Sequence, residues 1–358
     1  MNGYKRFITA LKREVPDKVP IWELIVDKPI VDSFGLKSYA DLAEYIDLDG
    51  VTCGENFNLE KIGPNTFKDE WGIVWKTSDV GILYPYKGPV KDFKDVTKLD
   101  IPDPDAEYRL NTLNELVDRF KYEKAIVFLG HDVFEFSHYI VGGMHNLFKM
   151  YYRYPRYAYI LADKIFEYKS RVMENALKIG ADVLLSGDDY ADKKNSFLSP
   201  RMFKNFIYSY LKKTVDIAKK NNRLFIKHTD GRIWSILDLI IDTGIDGLHP
   251  IEPAAGMDIA KVKRKYGGKI CVIGNIDCTI VLPLLSPKEV EEVVKETIAK
   301  VAPNGGYILS SSNSIHPGIK PENFKKMVEA ARKYGVYPIE KKLIEKYSKR
   351  NFYENIFK

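Results

Sequence analysis

The sequence predicts an α/β protein built as a (β/α)8 TIM barrel, and three observations support this. Short β-rich runs alternate with longer helical patterns along the whole 358-residue chain. Eight of these runs are plausible core strands, and eight strand–helix units in about 350 residues are typical of this barrel. No G-x-G-x-x-G motif follows the first strand, which weakens the main rival, a doubly wound dinucleotide-binding sheet.

The predicted core strands are short and rich in apolar residues, as expected of buried parallel strands. In chain order they are VPIWELI from residue 19, DGVTC from 49, AIVFLG from 125, DVLLSG from 182, RLFIK from 223, DGLHPI from 246, KICVIG from 269 and GYILSS from 306.

Start and stop signals indicate helices between these strands. Ser286 stands at an N-cap position, and Glu289 follows where a capping box requires it. The Ser199–Pro200 pair is a second start signal of this kind. Gly244 and Gly335 each follow a periodic segment and are read as helix ends.

One long segment, residues 55–124, interrupts the alternation. Its stretch FKDEWGIVWKTSDVGILYPYKGPV interleaves aromatic and turn residues, which predicts an inserted antiparallel β-meander on the barrel mouth, after the second core strand. We therefore predict a single barrel domain over residues 1–340. Residues 341–358 form a basic, helical C-terminal extension that could mediate a homodimer or dock a partner.

Composition narrows the class of protein. Hydrophobic residues make up 45% of the chain and charged residues 29%, as in soluble globular proteins. No apolar run is long enough for a membrane span, and the charged N-terminus is unlike a signal peptide, so we expect a cytoplasmic protein. The three cysteines, Cys53, Cys271 and Cys278, show no C-x-x-C spacing. The net charge of +6 is spread without a basic block, which argues against nucleic acid as a partner.

Polar side chains follow nearly every predicted strand, where the active sites of barrel enzymes lie. In chain order these residues are Trp22, Glu23, Glu55, His131, Asp132, Asp188, Asp189, Tyr190, His228, Asp230, His249, Glu252, Asn275, Asp277, Ser312 and Asn313. Their side chains are expected to meet around one polar cavity.

Several of these residues have a purely structural interpretation. Asp189 and Asp277 could cap the helices that follow them, His249 could be a satisfied loop histidine, and Glu55 could form an internal salt bridge. His228 is harder to explain in this way. In an extended chain His228 and Asp230 point to the same face, where they could bind a divalent metal or form an acid–base pair.

The ordered series of motifs resembles the uroporphyrinogen decarboxylase superfamily. The resemblance is carried by LSPRMFKNFIYSYLKKTVDIAK, KHTDG, DGLHPIEPAAGMDIAKVKRKYGGKICVIGNID, LLSPKEVEEVVKETI and GGYILSSSNSIHPGIKPENF, and it covers roughly residues 4 to 340. It implies a (β/α)8 barrel and one of two chemistries. These are the decarboxylation of uroporphyrinogen acetates and methyl transfer to or from a corrinoid (cobalamin-type) cofactor carried by a partner protein.

The chain departs from two branches of that superfamily. Decarboxylases carry arginines just after the first strand to bind the carboxylates of the substrate, whereas this chain has IWELIVDKPIV there. In the zinc-thiol methyltransferases a His-x-Cys pair and a later cysteine hold the metal. Those positions are His228, Asp230 and Asn313 here, a harder ligand set that leaves open whether zinc, another ion or no metal is bound.

The resemblance is therefore closest to the corrinoid-dependent methyltransferase branch, the O-demethylases. It implies an enzyme that moves a methyl group from a small methylated donor to the cobalt of a corrinoid protein. The expected donor is a methoxylated aromatic. The leaving atom needs an acid or a Lewis acid, for which His228, Asp230 and Glu252 are the candidates. The predicted substrate-binding residues are Trp22, Glu55, His131, Asp188, Tyr190, His249, Asn275 and Asn313. A uroporphyrinogen-type decarboxylase and a non-catalytic partner-binding barrel are the alternatives.

Overall fold

The computed structural model describes residues 1–79 and 81–357, and its central feature is a curled parallel sheet. Seven strands lie in the order β1-β6-β7-β8-β9-β10-β11, and each neighbouring pair is parallel. Their bounds are β1 Gly50–Gly54, β6 Ala125–Gly130, β7 Val183–Ser186, β8 Leu224–His228, β9 Gly247–His249, β10 Cys271–Ile273 and β11 Tyr307–Ile308. Seven of the eight predicted core strands are therefore confirmed.

The first predicted strand, from residue 19, is the exception, because the chain there forms only isolated bridges. Ile21 bridges Leu309 in parallel fashion, and the N–H of Asp49 donates to the carbonyl of Ile21 at 2.8 Å. Pro20 lacks an N–H and can contribute only its carbonyl, which accepts from Leu309 at 2.9 Å. The segment thus lies between β11 and the start of β1, so that the sheet curls into a TIM-barrel-like fold.

Alternating side chains of the strands enter two separate cores. On β8, Phe225 belongs to the large core between the sheet and the helices, whereas Ile226 belongs to a smaller core inside the curl. The first helix contributes Phe7 and Leu11 to the inner core. His228 lies two residues beyond Ile226, so the same alternation directs its side chain to the inside.

Helices cover the outside of the sheet, and the predicted caps are confirmed. Ser286 and Glu289 form a capping box, and Ser199 accepts from the N–H of Met202 at 3.3 Å. The α-helices are α1 Gly3–Leu11, α2 Lys28–Ser33, α3 Tyr39–Tyr45, α4 Asn111–Phe120, α5 Phe134–Ile140, α6 Met144–Arg153, α7 Pro155–Ile179, α8 Pro200–Phe203, α9 Ser209–Lys220, α10 Leu237–Asp242, α11 Ile259–Tyr266, α12 Val281–Leu284, α13 Pro287–Val301, α14 Pro321–Tyr334, α15 Lys341–Tyr347 and α16 Phe352–Ile356. Within the described residues, no helix is both long and apolar enough to cross a membrane.

Residues 55–124 contain a second, smaller sheet. It has four antiparallel strands in the order β2-β3-β4-β5, with bounds β2 Glu60–Gly63, β3 Thr66–Lys68, β4 Val74–Thr77 and β5 Leu83–Lys87. Two 3₁₀ helices, Phe93–Lys98 and Glu107–Leu110, connect this sheet to α4. Helix α4 itself packs against β1 and β6, as a helix of the main αβ alternation does.

The C-terminal extension folds back onto the end of β10. The Tyr353 hydroxyl donates to the carbonyl of Asn275 at 2.9 Å and accepts from the N–H of Asp277 at 3.1 Å. The two helices α15 and α16 therefore return the end of the chain to a position beside one of the strand ends.

Candidate active site

The carboxyl ends of neighbouring strands bring together five side chains that we call the mouth cluster: Asp189, His228, Asp230, His249 and Asn313. His228 Nε2 lies 3.6 Å from Asp189 Oδ1 and 3.8 Å from Asp230 Oδ1. Its other nitrogen, Nδ1, lies 2.7 Å from His249 Nδ1. The Asn313 amide donates to Asp230 Oδ2. The predicted proximity of His228 and Asp230 is thus present in the structure, and residues from sequence-distant strands surround them.

The hydrogen bonds fix the tautomers of both histidines. His249 Nε2 lies 3.3 Å from the carbonyl of Ser311, which can only accept, so this nitrogen carries the proton. In a neutral ring the opposite nitrogen, Nδ1, is then an acceptor. His228 Nδ1 must donate to it, which leaves His228 Nε2 with a free lone pair. That lone pair faces the carboxyl groups of Asp189 and Asp230.

Both imidazoles are held neutral at physiological pH. Burial lowers the pKa of His249 to about 3. Burial, with the neighbouring His249, also lowers the pKa of His228 well below its usual value. Because neither ring is charged, the pair cannot neutralise the carboxylates beside it, and His228 acts as an acceptor or a ligand.

The carboxyl groups opposite His228 are shifted toward their protonated forms. Removal from bulk water and the nearby Glu135 raise the pKa of Asp189 to about 7. Burial, followed by the charges of Asp189 and Glu252, raises the pKa of Asp230 well above its usual range. A lone pair that faces such groups is stable only if a proton or another cation lies between them. The cluster can therefore hold a transferable proton.

A second group of titratable side chains stands next to the mouth cluster. His131 Nδ1 lies 3.2 Å from Glu135 Oε2 and 3.5 Å from Asp188 Oδ2. Despite its burial, these two carboxylates raise the pKa of His131 to about 9, and His131 in turn lowers that of Asp188 against the effect of its own burial. His131 is therefore a cation at neutral pH, in contrast to His228.

Behind the strands, a buried lysine supports Asp188 and Asp132. Lys227 Nζ donates to Ser186 Oγ at 2.9 Å and to the carbonyl of Asp188 at 2.8 Å, and it lies 3.4 Å from Asp132 Oδ2. The Tyr190 hydroxyl donates to the same Asp132 carboxylate, and the Lys227 ammonium sits 4.0 Å from the centre of the Tyr190 ring. This network positions the loops after β6 and β7.

The residues of the mouth cluster fit a divalent cation. The candidate ligand atoms of Asp189, His228 and Asp230 all lie within 4.8 Å of one another. Asp230 Oδ1 is buried and has no hydrogen-bond partner. His249 contacts His228 and Asn313 donates to Asp230, and such hydrogen bonds orient the ligands of metal sites. The predicted metal pair of His228 and Asp230 would thus gain Asp189 as a third ligand.

The other predicted site residues lie around this cluster in different roles. The Trp22 indole donates to Thr52 Oγ1 at 2.9 Å, and its ring packs edge-on against His249. Glu252 accepts from the N–H of Gly231 at 2.8 Å and so fixes the turn after β8. Trp22, Asp188, Tyr190, His249 and Asn275 each expose at most 2% of their surface. Their predicted contact with a substrate stays a prediction.

The structure decides the structural interpretations of three residues. Glu55 forms an ion pair with Lys169 and accepts from the Tyr168 hydroxyl, so it is held by α7. Asp277 Oδ1 accepts from Thr279 and two further backbone N–H groups ahead of α12, as a capping residue does. Asp189 does not act as a cap, because its Oδ1 accepts from the N–H of Asp230 at 2.8 Å, across to the neighbouring strand end.

Three residues with direct contacts in the site were not predicted as site residues. Asp189 was expected among the polar strand-end residues but was given no catalytic, metal or substrate role, and Glu135 and Lys227 were not considered. For Lys227 a signal exists in the sequence, since a lysine inside the apolar strand LFIKH must be buried with a partner. Glu135 offers no such signal, because an acidic residue in the first turn of a helix is ordinary.

Comparison with known proteins gives both a family and a fold. Residues 82–334 match the family described as uroporphyrinogen decarboxylase (URO-D). The uroporphyrinogen decarboxylase of Pseudoalteromonas atlantica is 25% identical over 369 residues, covering 93% of this chain and 98% of that relative. That of Pectobacterium atrosepticum is 26% identical over 262 residues, covering 69% and 70%. A solved methyltransferase from Methanosarcina mazei covers 93% of this chain and 99% of its own, with a TM-score of 0.71 at 20% identity, which shows a common fold.

Proposed function

This chain belongs to the uroporphyrinogen decarboxylase family, and within it we propose that the protein is a corrinoid-dependent methyltransferase. It would take methyl from a small donor, a methoxylated aromatic in the first instance, and pass it to the cobalt of a partner corrinoid protein. The observation that carries this proposal is the free lone pair of His228 Nε2, which faces two carboxyl groups with raised pKa values.

The charge at the strand ends favours methyl transfer over uroporphyrinogen decarboxylation. In the described part of the chain, the ion-pair partners of Asp132, Glu135, Asp188, Asp189 and Asp230 are histidines and Lys227, and none is an arginine. A polycarboxylate substrate needs cationic groups that bind it, preferably bidentate guanidinium groups. Carboxylates at the mouth would repel it, whereas a neutral ether or an amine is compatible with them.

In this proposal Asp189 and Asp230 hold the proton that the reaction needs. When the methyl carbon leaves its donor, the electron pair of the broken bond stays on the donor oxygen or nitrogen. Phenolate leaves poorly at neutral pH, since phenols have a pKa of about 10. Asp189, with a pKa of about 7, is protonated in an appreciable fraction at neutral pH and can protonate that atom. His228 and Asn313, which both contact Asp230, would hold its carboxyl group in position beside the leaving atom.

Two groups from outside the chain belong to this proposal. The corrinoid, held by its own protein, would supply a nucleophilic cobalt as methyl acceptor. A divalent ion such as zinc, held by Asp189, His228 and Asp230, would supply Lewis acidity at the leaving atom in place of the proton. Glu252 keeps a supporting role here, since it fixes Gly231 and raises the pKa of Asp230 through its charge.

The decisive experiment mixes the purified protein with a cobalt(I) corrinoid protein and a panel of methoxylated aromatics and methylamines. The proposal expects the cobalt(I) absorbance to disappear with one donor and to persist with the others. His228→Ala should abolish this change while the circular dichroism spectrum stays native. Decarboxylation of uroporphyrinogen by the same preparation, with no methyl transfer from any donor, would contradict the proposal and support the alternative activity.

A further inference from the structure

Exposed cations stand on the same two loops that supply two carboxyl groups of the mouth cluster. The loop after β7 continues from Asp189 to Lys193 and Lys194, whose side chains are exposed. The loop after β8 continues from Asp230 to Arg232, which is also exposed. Positive charges on the surface thus follow each of the two mouth carboxyl groups within a few residues.

Backbone and side-chain contacts join these loops to each other and to the next loop. The N–H of Arg232 donates to the carbonyl of Asp192 at 2.7 Å. The Trp234 indole donates to the carbonyl of Gly256, after β9, at 3.1 Å, and the exposed ammonium of Lys261 lies 4.8 Å from the centre of the Trp234 ring. The cations of this surface, which we call the basic rim, are Lys193, Lys194, Arg232 and Lys261.

The charges of the basic rim are not neutralised by neighbouring side chains. None of its four cations forms an ion pair with a described residue. Two acids stand beside them, and both bind backbone N–H groups of their own turns. Asp192 accepts from Lys194 and Asn195, and Asp258 accepts from Ala260 and Lys261. The basic rim therefore keeps a net positive charge beside a mouth that is lined by carboxyl groups.

The position of the basic rim restricts what can cover it. A methyl group that lies beside Asp189 and Asp230 reaches cobalt only if the protein that carries the corrinoid sits over the loops holding these residues. The rim charges then face the surface of that protein, and a favourable contact requires acidic side chains there. A second copy of this chain does not meet this requirement, because a two-fold contact would place like charges against each other.

We propose that the basic rim docks an acidic face of the corrinoid protein and so brings the cobalt over Asp189 and Asp230. This inference rests on the proposed methyl transfer, and it adds the docking surface and the charge of the partner. Exposed charges at the edge of an interface act mainly on the rate of association and on its dependence on salt. The basic rim would thus attract and orient the partner, whereas the mouth cluster would carry out the chemistry.

Two methyl acceptors, free cob(I)alamin and the cobalamin-loaded corrinoid protein, separate docking from chemistry. The variant Lys193→Glu/Lys194→Glu reverses two exposed charges, and its circular dichroism spectrum should stay native. With the corrinoid protein as acceptor, kcat/KM should fall about 30-fold at roughly 0.02 M salt and only about threefold near 0.5 M, because salt screens exposed charges. With free cob(I)alamin the rate should equal that of the wild type.

A matched control makes the same change of charge at the opposite end of the sheet. Lys220 and Lys269 are exposed and precede β8 and β10. The variant Lys220→Glu/Lys269→Glu should leave kcat/KM with the corrinoid protein within about twofold of wild type. Arg232→Gln removes a single charge of the basic rim and should lower it about fivefold.

A binding measurement without a methyl donor tests the basic rim independently of the reaction. The affinity of each variant for the cobalamin-loaded corrinoid protein is measured by biolayer interferometry at low and high salt. The loss of affinity should follow the same order as the loss in kcat/KM. If no methyl transfer to either acceptor is found, the proposed function is contradicted, but this measurement still decides whether the basic rim docks the partner.

Several results would overturn the inference. These are no binding of the corrinoid protein, wild-type binding by Lys193→Glu/Lys194→Glu, or an equal loss in the Lys220→Glu/Lys269→Glu control. A rise in the KM of the methyl donor that is the same with both acceptors would assign the basic rim to substrate binding instead. Saturable binding of uroporphyrin that Lys193→Glu/Lys194→Glu loses would equally contradict the docking role.

Discussion

At the amino end of the sheet the buried carboxylate of Asp49 is paired with two guanidinium groups, whereas at the carboxyl end Asp189 and Asp230 face a neutral histidine. Asp49 contacts Arg6, and its Oδ2 lies 2.9 Å from Arg332 Nη1 and accepts from the N–H of Ile21 at 2.7 Å. All these partners stabilise the charged carboxylate. The amino end thus satisfies its buried charge with side chains of the chain itself.

At the carboxyl end the buried carboxyl groups are not paired with cations in this way. Asp230 Oδ1 has no hydrogen-bond partner, and the imidazole beside it is held in its neutral form. A protein retains such unpaired groups at a cost in stability, and they concentrate where function requires them. The amino end is therefore built for stability, and we expect the chemistry at the carboxyl end, where (β/α)8 barrels carry their active sites.

The largest expected effect is at the amino end. Asp49→Asn leaves Arg6 and Arg332 partly unpaired, and we expect a loss of roughly 3–5 kcal/mol in the free energy of unfolding, the usual effect of breaking a buried ion pair. Urea denaturation measures it. Asp17→Asn is the matched control, because Asp17 also binds Arg6 but has a side chain that is 38% exposed. A loss as large in the control would show that the two positions do not differ.

At the carboxyl end, replacing a buried aspartate by asparagine should lower activity and not stability. Asp230→Asn is expected to lower the rate of methyl transfer about 100-fold, equivalent to about 2.7 kcal/mol in the barrier. The melting temperature should stay constant or rise, because an uncompensated buried acid is removed. Rates are followed by loss of the cobalt(I) absorbance. A destabilised protein with normal activity per folded molecule would refute the assignment of Asp230 to the chemistry.

A substitution at Glu23 tests whether a negative charge is unfavourable inside the carboxyl end of the sheet. Burial raises the pKa of Glu23 to about 8, even though Ser311 and Ser310 donate to it. The contribution of this group to stability is complete below the unfolded pKa of about 4.3 and is lost as the pH rises through about 8. Relative to wild type, the free energy of unfolding of Glu23→Gln should therefore rise by about 4 kcal/mol between pH 5 and pH 9. Urea denaturation at both pH values measures this difference, and a constant one would contradict it.

The smallest expected effect concerns the pH dependence of the reaction. If Asp189 donates a proton, kcat/KM should fall about tenfold per pH unit above a pKa of about 7. Asp189→Asn should abolish this dependence. An increase of activity through the same pH range, removed by a chelator, would instead indicate a metal ion held by the deprotonated cluster. His131, whose pKa is about 9, stays charged across this range and does not contribute to the change.

Local patterns in the sequence were sufficient for most of the fold. Apolar runs bounded by caps and turn residues placed seven strands of the curled sheet and the starts of α8 and α13, because periodicity and capping act over a few residues. The segment from residue 19 was expected as a full strand but forms only bridges. Its pairing depends on β11, nearly 290 residues later, and on which N–H groups remain after Pro20.

The sequence by itself determined which strand ends carry polar side chains, and it singled out His228 and Asp230. Only the tertiary structure decided that Asp189 joins them, that Glu55 is bound by Lys169, and that His249 sets the tautomer of His228. The physical reason is that a proton position or a pKa depends on the burial and distance of groups from separate strands. Those quantities exist only once the sheet has curled and brought its strand ends together.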